Sequence, residues 1–327
     1  MSAASIRPVY LDCDTGVDDA VAIAYLLASP EIDLVGIGTV SGNTSAAQAA
    51  ENTLRLLALA GRTDIPVAVG SHDHLVDPYS GGVPHIHGDN GIGNVELPPT
   101  DATPIDESAA ELILRLSREH NGSLEIITIG PTTNIALALR LDPHLAERVS
   151  QVTVMGGVAL APGNIGPVSE ANVHNDPEAA SILISAPWPV TLVPLDVTLE
   201  NTLEEEDRDA LLAASEPLTR AVGEILDHYY DFYVGLYGRR SSALHDPLAA
   251  AIAVGGVTAT VAPAVNVVVD TTDGPGRGQT ICDLRGQRLG ARDMDDATAR
   301  VVLDTDQPLA PHLVARLTAP GAYSRTL

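Results

Sequence analysis

The 327-residue sequence contains no lysine; all 18 of its basic residues are arginines. That absence removes every mechanism built on an amine side chain: Schiff-base chemistry, a pyridoxal-phosphate anchor and the lysine of a phosphate-binding P-loop. Cysteine is almost as scarce. Cys13 and Cys282 lie far apart, form no ligand-spaced cluster and read as reduced thiols. Long apolar runs are missing too, because Pro, Gly or charge interrupts each one before the roughly 18 residues a spanning helix needs. The start, Met1 to Arg7, has no basic segment followed by an apolar one, so no export signal is expected. These absences point to a cytoplasmic chain with no membrane association.

Positive charge is in short supply as well: 43 acidic residues face those 18 arginines, a formal net charge of −25. Such a surface repels phosphate backbones and anionic lipid, which argues against nucleic acid as a partner. It tolerates neutral substrates and attracts cations. With 45% hydrophobic and 19% charged residues, the chain can bury a sizeable core and is not expected to be disordered.

Short β-branched runs alternate with amphipathic stretches. Val9 to Leu11, Leu34 to Ile37, Val67 to Val69, Leu124 to Ile129, Val152 to Val154 and Val190 to Val193 read as strands, and Ala20–Leu27 and Ser45–Ala60 as helices. This alternation predicts an α/β fold with a doubly wound, mainly parallel sheet, a Rossmann-like open core. The active site is then expected at the carboxyl ends of the strands. Residues 71–104 and 158–175 are long irregular segments and candidate site loops. Glu205 to Arg239 reads as one or two helices, and Val265–Val269 and Gln279–Leu284 as late strands. No repeat or low-complexity linker divides residues 1–327, so one domain is expected.

The strongest local feature is Asp12-Cys13-Asp14-Thr15-Gly16-Val17-Asp18-Asp19. Four carboxylates on one turn repel each other at neutral pH, so a cation must hold them or some must be protonated. Oxygen-only ligands suit Ca²⁺ or Mg²⁺. A plainer reading puts Asp18 and Asp19 in the first turn of a helix, favoured by its dipole. It leaves Asp12 and Asp14, at the end of an apolar strand, unexplained. A haloacid-dehalogenase-like phosphotransferase would open similarly, but expects an apolar residue in place of Gly16 and usually a downstream Lys or Arg. An EF-hand loop fails on spacing.

Asp14-Thr15-Gly16-Val17-Asp18-Asp19-Ala20, with Asp12 ahead of it, resembles the N-terminal signature of the inosine-uridine-preferring nucleoside hydrolases. The likeness continues in order through Val40-Ser41-Gly42-Asn43, His85-Ile86-His87-Gly88, Gly130-Pro131-Thr132-Thr133-Asn134-Ile135-Ala136 and Met155-Gly156-Gly157. It ends with Gly163-Asn164, Ser169-Glu170-Ala171-Asn172, Asp176-Pro177-Glu178-Ala179-Ala180 and His245-Asp246-Pro247.

The resemblance implies hydrolysis of ribonucleosides to ribose and free base, with one Ca²⁺ and Asp14 activating a metal-bound water. It also implies metal ligation by Asp14, Asp19, Asp246 and a backbone carbonyl placed at Ile129. Asp18, Asn43, Asn164, Glu170 and Asn172 would meet ribose hydroxyls, with Met155 also in the substrate site. His245 would protonate or steer the leaving base, and His87, Tyr229 and Tyr233 would lie near it. A homodimer or homotetramer is implied too. The alternative from another class is a nucleoside- or ribose-binding protein without turnover.

Taken without the resemblance, Asp142-Pro143, Asp176-Pro177 and Asp246-Pro247 are three equivalent helix starts. The asparagines beside glycines are ordinary turn residues, and Met155 an ordinary core residue. Ala171 stands where the family often has Phe, and Phe232 is the only phenylalanine, which leaves base preference open.

Overall fold

The computed structural model describes residues 6–288 and 290–324, so the N-terminal segment read above for an export signal lies partly outside it. Eight strands form the main sheet. In chain order its first six are β1 (Arg7–Cys13), β2 (Ile32–Thr39), β3 (Val67–Val69), β4 (Leu124–Thr128), β5 (Val149–Met155) and β6 (Val190–Val193). They pair in parallel in the order β3-β2-β1-β4-β5-β6, extended beyond β6 by Ala299–Val301 and then Ala264–Val265. Only that outermost pair is antiparallel. The order reverses between β1 and β4, so the crevice at their carboxyl ends is the switch point where such sheets bind ligands.

The helices are α1 (Val17–Leu27), α2 (Ala46–Leu59), the short α3 (Pro84–His87), α4 (Ala109–Glu119), α5 (Thr133–Leu141), the short α6 (Ala171–Asn175), α7 (Pro177–Ser185), the one-turn α8 (Leu195–Thr198), α9 (Glu205–Leu212), α10 (Pro217–Tyr237), α11 (His245–Val254) and α12 (Leu309–Leu317). Strand periodicity sorts them into two layers. Val9, Leu11 and Cys13 of β1 face a core with Ala20 of α1, Leu54 of α2, Leu226 of α10, Leu248 of α11 and Leu313 of α12. Tyr10, between them in sequence, faces the opposite core with Leu112 of α4, Ile135 of α5 and Leu183 of α7. Successive side chains of a strand point to opposite faces, so both faces must be covered. This is the doubly wound arrangement expected from the sequence.

Details differ from the sequence reading. The run Val265–Val269 is two strands in different sheets: Val265 belongs to the main sheet, while Val267–Val269 pairs antiparallel with Thr280–Cys282. The Thr298 hydroxyl takes the Val267 N–H at 2.9 Å and ends the first ladder there. Residues 205–239 form two helices, with Pro217 at the first position of the second, where a missing N–H costs nothing. Among the described residues no helix is long and apolar enough to cross a membrane.

Candidate active site

The acidic turn leaves β1 at Cys13 and enters α1 at Val17. Asp19, at the third position of α1, accepts the Gly16 N–H at 2.8 Å and the Asp14 N–H at 3.1 Å. It therefore does cap the helix, as the plainer reading held, and the cap folds the loop so that the carboxylates converge. Asn43, beyond β2, links two of them: its N–H meets Asp14 Oδ2 at 2.6 Å, and its amide donates to Asp14 Oδ1 at 3.2 Å and Asp19 Oδ2 at 3.0 Å. Gly42 permits this contact, since a Cβ there would lie 2.1 Å from Asp14 Oδ2.

The fold also separates the three Asp-Pro pairs. Asp142 is ion-paired with Arg148 and Arg118 at 2.7 and 3.2 Å. Asp176 caps α7 through the Ala179 N–H at 3.0 Å and takes the Thr133 hydroxyl at 2.6 Å. At Asp246 the cap position is held by Leu244, and the carboxylate falls inside the first turn of α11. There Asp18, Asp19 and Asp246 each offer an oxygen within 4.8 Å of the others, all buried. Asp14 stands beside this triad, its oxygens engaged by Asn43.

Electrostatics marks the cluster as frustrated. Burial, and then the charge of Asp19, raises Asp18 to about 7 and Asp14 well above the carboxylate range. Asp246 is raised by burial and then by Asp18, Asp19 and Asp14. Among the described residues no arginine ion pair reaches any of the four. Asp18 Oδ1 is buried without a hydrogen-bond partner. Ionised, buried, unpaired oxygens are costly, and a hard cation fits this donor set.

The other expected residues ring the cluster. Asn172 of α6 donates to the Ile129 carbonyl at 2.9 Å and the Met155 carbonyl at 3.3 Å, at the ends of β4 and β5. Glu170 is buried and accepts the N–H groups of Gly157, Asn172 and Val173 at 2.9, 2.8 and 3.2 Å, bracing the loop from within. Asn164 is exposed, and its Oδ1 takes the Ala171 N–H at 3.0 Å, again within the loop.

On the other side His87, closing α3, accepts the Val17 N–H at Nδ1 (3.0 Å), so its proton sits on Nε2. Its ring lies 5.3 Å from Tyr229, which meets Tyr233 edge-on at 4.9 Å. His245 is bonded at both nitrogens, Nδ1 to the Thr198 hydroxyl at 2.7 Å and Nε2 to the Tyr233 hydroxyl at 2.8 Å. Burial lowers His87 to about 3 and His245 to about 4, so both are neutral near pH 7. Phe232 is 39% exposed and rests edge-on against His85.

Two contributors carry no local sequence signal. Asp196 of α8 accepts three successive N–H groups, from Ala159, Leu160 and Ala161 at 2.7, 2.6 and 3.0 Å, and anchors the start of the 158–175 loop. Thr198, two residues on, holds His245. Both follow β6, and position at a strand's carboxyl end was the one clue available.

A doubly wound sheet with buried carboxylates at its switch point, ringed by neutral amides and, among the described residues, without an arginine ion pair, is the site of an α/β enzyme and suits an uncharged, hydroxylated substrate. The chain belongs to the inosine-uridine preferring nucleoside hydrolases, whose family model matches residues 9–310. It is thus an enzyme acting on N-glycosyl bonds of ribonucleosides. A probable uridine nucleosidase 2 of Arabidopsis thaliana is 34% identical over 96% of this chain and 98% of its own. The pyrimidine-specific ribonucleoside hydrolase RihA of Escherichia coli is 37% identical over 73% of this chain and 77% of its own. Among solved structures, a plant nucleoside hydrolase superposes with TM-score 0.90 at 30% identity, covering 97% of this chain and all of the other. A purine-preferring ribonucleoside hydrolase from Gardnerella vaginalis gives 0.87 at 33% identity, covering 97% and 99%.

Proposed function

We propose that this chain hydrolyses ribonucleosides in a calcium-dependent reaction, with Asp14 as general base. The observation that carries this reading is the gathering of Asp18, Asp19 and Asp246 beside Asp14, buried and without a counter-charge. Asp14, Asp19, Asp246 and the Ile129 carbonyl would hold the ion. Calcium, when bound, supplies the positive charge that acidifies water and grips a ribose diol. Asp14, oriented by Asn43, accepts the proton as the water oxygen bonds to C1′ and the C1′–N bond breaks. Asp18, Asn43, Asn164, Glu170 and Asn172 bind the ribose hydroxyls, over Met155. His87, Tyr229, Tyr233 and His245 face the base. His245 is neutral, so it assists departure through a hydrogen bond rather than as a standing imidazolium.

The relatives' names divide between uridine or pyrimidine and purine substrates, and Ala171 removes an aromatic ring frequent in the family. A panel of purine and pyrimidine nucleosides, assayed for free ribose with calcium or with chelator, tests the reading. Release that chelator stops and calcium restores is expected. Release indifferent to chelator would overturn the metal assignment, and none from any nucleoside would favour binding without turnover. A cytoplasmic homodimer or homotetramer accompanies the proposal, resting on the family resemblance and the sequence features above.

A further inference from the structure

We propose that Thr198 is a positioning residue for the leaving-group step: it fixes His245 in the Nε2–H tautomer and so frees the Tyr233 hydroxyl hydrogen to point at the departing base. The proposal rests on the leaving-group role given to His245 and Tyr233 above. A neutral imidazole has one donor and one acceptor nitrogen, and here each nitrogen meets a hydroxyl, at 2.7 Å from Thr198 and 2.8 Å from Tyr233. Two arrangements are possible. If Nδ1 carried the proton, it would donate to Thr198, and Nε2 would accept from Tyr233, consuming the phenol's only hydrogen.

The surroundings of Thr198 choose between them. Its side chain is fully buried, and its hydroxyl has no other hydrogen-bond partner among the described residues. In the first arrangement the Thr198 hydrogen would be buried without an acceptor, which is costly. In the second it donates to Nδ1, Nε2–H donates to the Tyr233 oxygen, and the Tyr233 hydrogen is left for the neighbouring Tyr229 hydroxyl in the free site and for the base when substrate is bound. The backbone sets this up: the Leu244 N–H bonds the Asn201 carbonyl at 2.8 Å, tying the start of α11 to the segment that follows α8. No covalent step is added; the base departs against a hydrogen bond whose direction Thr198 decides.

The experiment compares Thr198→Val, which removes the hydroxyl at nearly constant shape, with Thr198→Ser, which keeps it. Each is assayed on uridine or inosine, whichever turns over faster, and on 4-nitrophenyl riboside, whose leaving group needs no assistance. Thr198→Val is expected to lower the nucleoside-to-nitrophenyl ratio of kcat roughly tenfold or more, with little change in KM, and Thr198→Ser to restore the ratio. In parallel, ¹⁵N spectra of histidine-labelled native protein should show His245 Nδ1 as the unprotonated nitrogen. Equal losses on both substrates, or a protonated Nδ1 in the native spectrum, would overturn the proposal, and the spectrum decides even if Thr198→Val folds poorly. His245→Ala in the same assay separates the two levels. If it too leaves the ratio unmoved, the leaving-group reading fails; if it shifts the ratio and Thr198→Val does not, only the role of Thr198 falls.

Discussion

The side-chain amide of Asn172 donates to the main-chain carbonyl of Ile129 at 2.9 Å, joining the second site loop to the end of β4. A carbonyl oxygen has two lone pairs, so one stays open for a cation while Asn172 fixes the direction of the other. The same amide reaches the Met155 carbonyl at 3.3 Å, so one side chain holds two strand ends in register. Asn172→Leu, similar in size but without the donor, is expected to weaken calcium binding about tenfold, the range seen when a group orienting a metal ligand is lost. Calcium titration by calorimetry checks this, and an unchanged affinity would remove Ile129 from the ligand set.

Asp14→Ala is expected to lower kcat by roughly a thousandfold, the scale of a lost general base. The fold should survive. Burial, and then the charge of Asp19, raises the pKa of Asp14, so its removal relieves an electrostatic cost in the calcium-free protein. Steady-state kinetics with a thermal melt in chelator separate the effects. Near-normal turnover would sink the mechanism.

Asp12 and Asp18 both sit at about 7, each chiefly through burial, against roughly 3.9 in an unfolded chain. Joined by Asp14 and Asp246, which are raised further, these carboxylates make the folded, calcium-free protein bind more protons than the unfolded one, and the neutral His87 and His245 offset this only in part and only below about 6.5. Its stability is therefore expected to fall as pH rises through that window. Calcium needs ionised ligands, so its stabilising effect should grow with pH over the same range. Melting temperatures in chelator and in calcium, compared from about pH 5 to 8, test the sign. A gap that narrows with rising pH would contradict it.

Gly42→Ala places a methyl 2.1 Å from Asp14 Oδ2 and 2.9 Å from the Pro131 ring. Neither can yield without moving the base or the β4 end. Loss of kcat of roughly a hundredfold is expected, with KM less affected, because the ribose contacts of the other loop stay in place. A variant with full kcat would show that Asp14 has freedom the packing denies it.

The sequence by itself determined the layered architecture. Period-two apolar runs such as Val9–Leu11 and the helical stretches between strands are local patterns, and only a doubly wound sheet covers both faces of β1. It also marked Asp12 to Asp19 as a crowding of like charge that a cation or protonation must relieve, since four carboxylates on one turn need no neighbours to repel each other. Tertiary structure decided the rest. Asp142, Asp176 and Asp246 have the same local signature, and only long-range packing gives one an arginine pair, one a helix cap and one a place beside Asp18 and Asp19. Asn43 and Glu170 prove to be braces as well as candidate ribose contacts. Asp196 and Thr198 carry no signal in sequence, because an aspartate and a threonine in a single helical turn announce nothing until their partners arrive from distant segments. Hydrogen-bond geometry is set by where the backbone closes, and closure is a property of the whole chain.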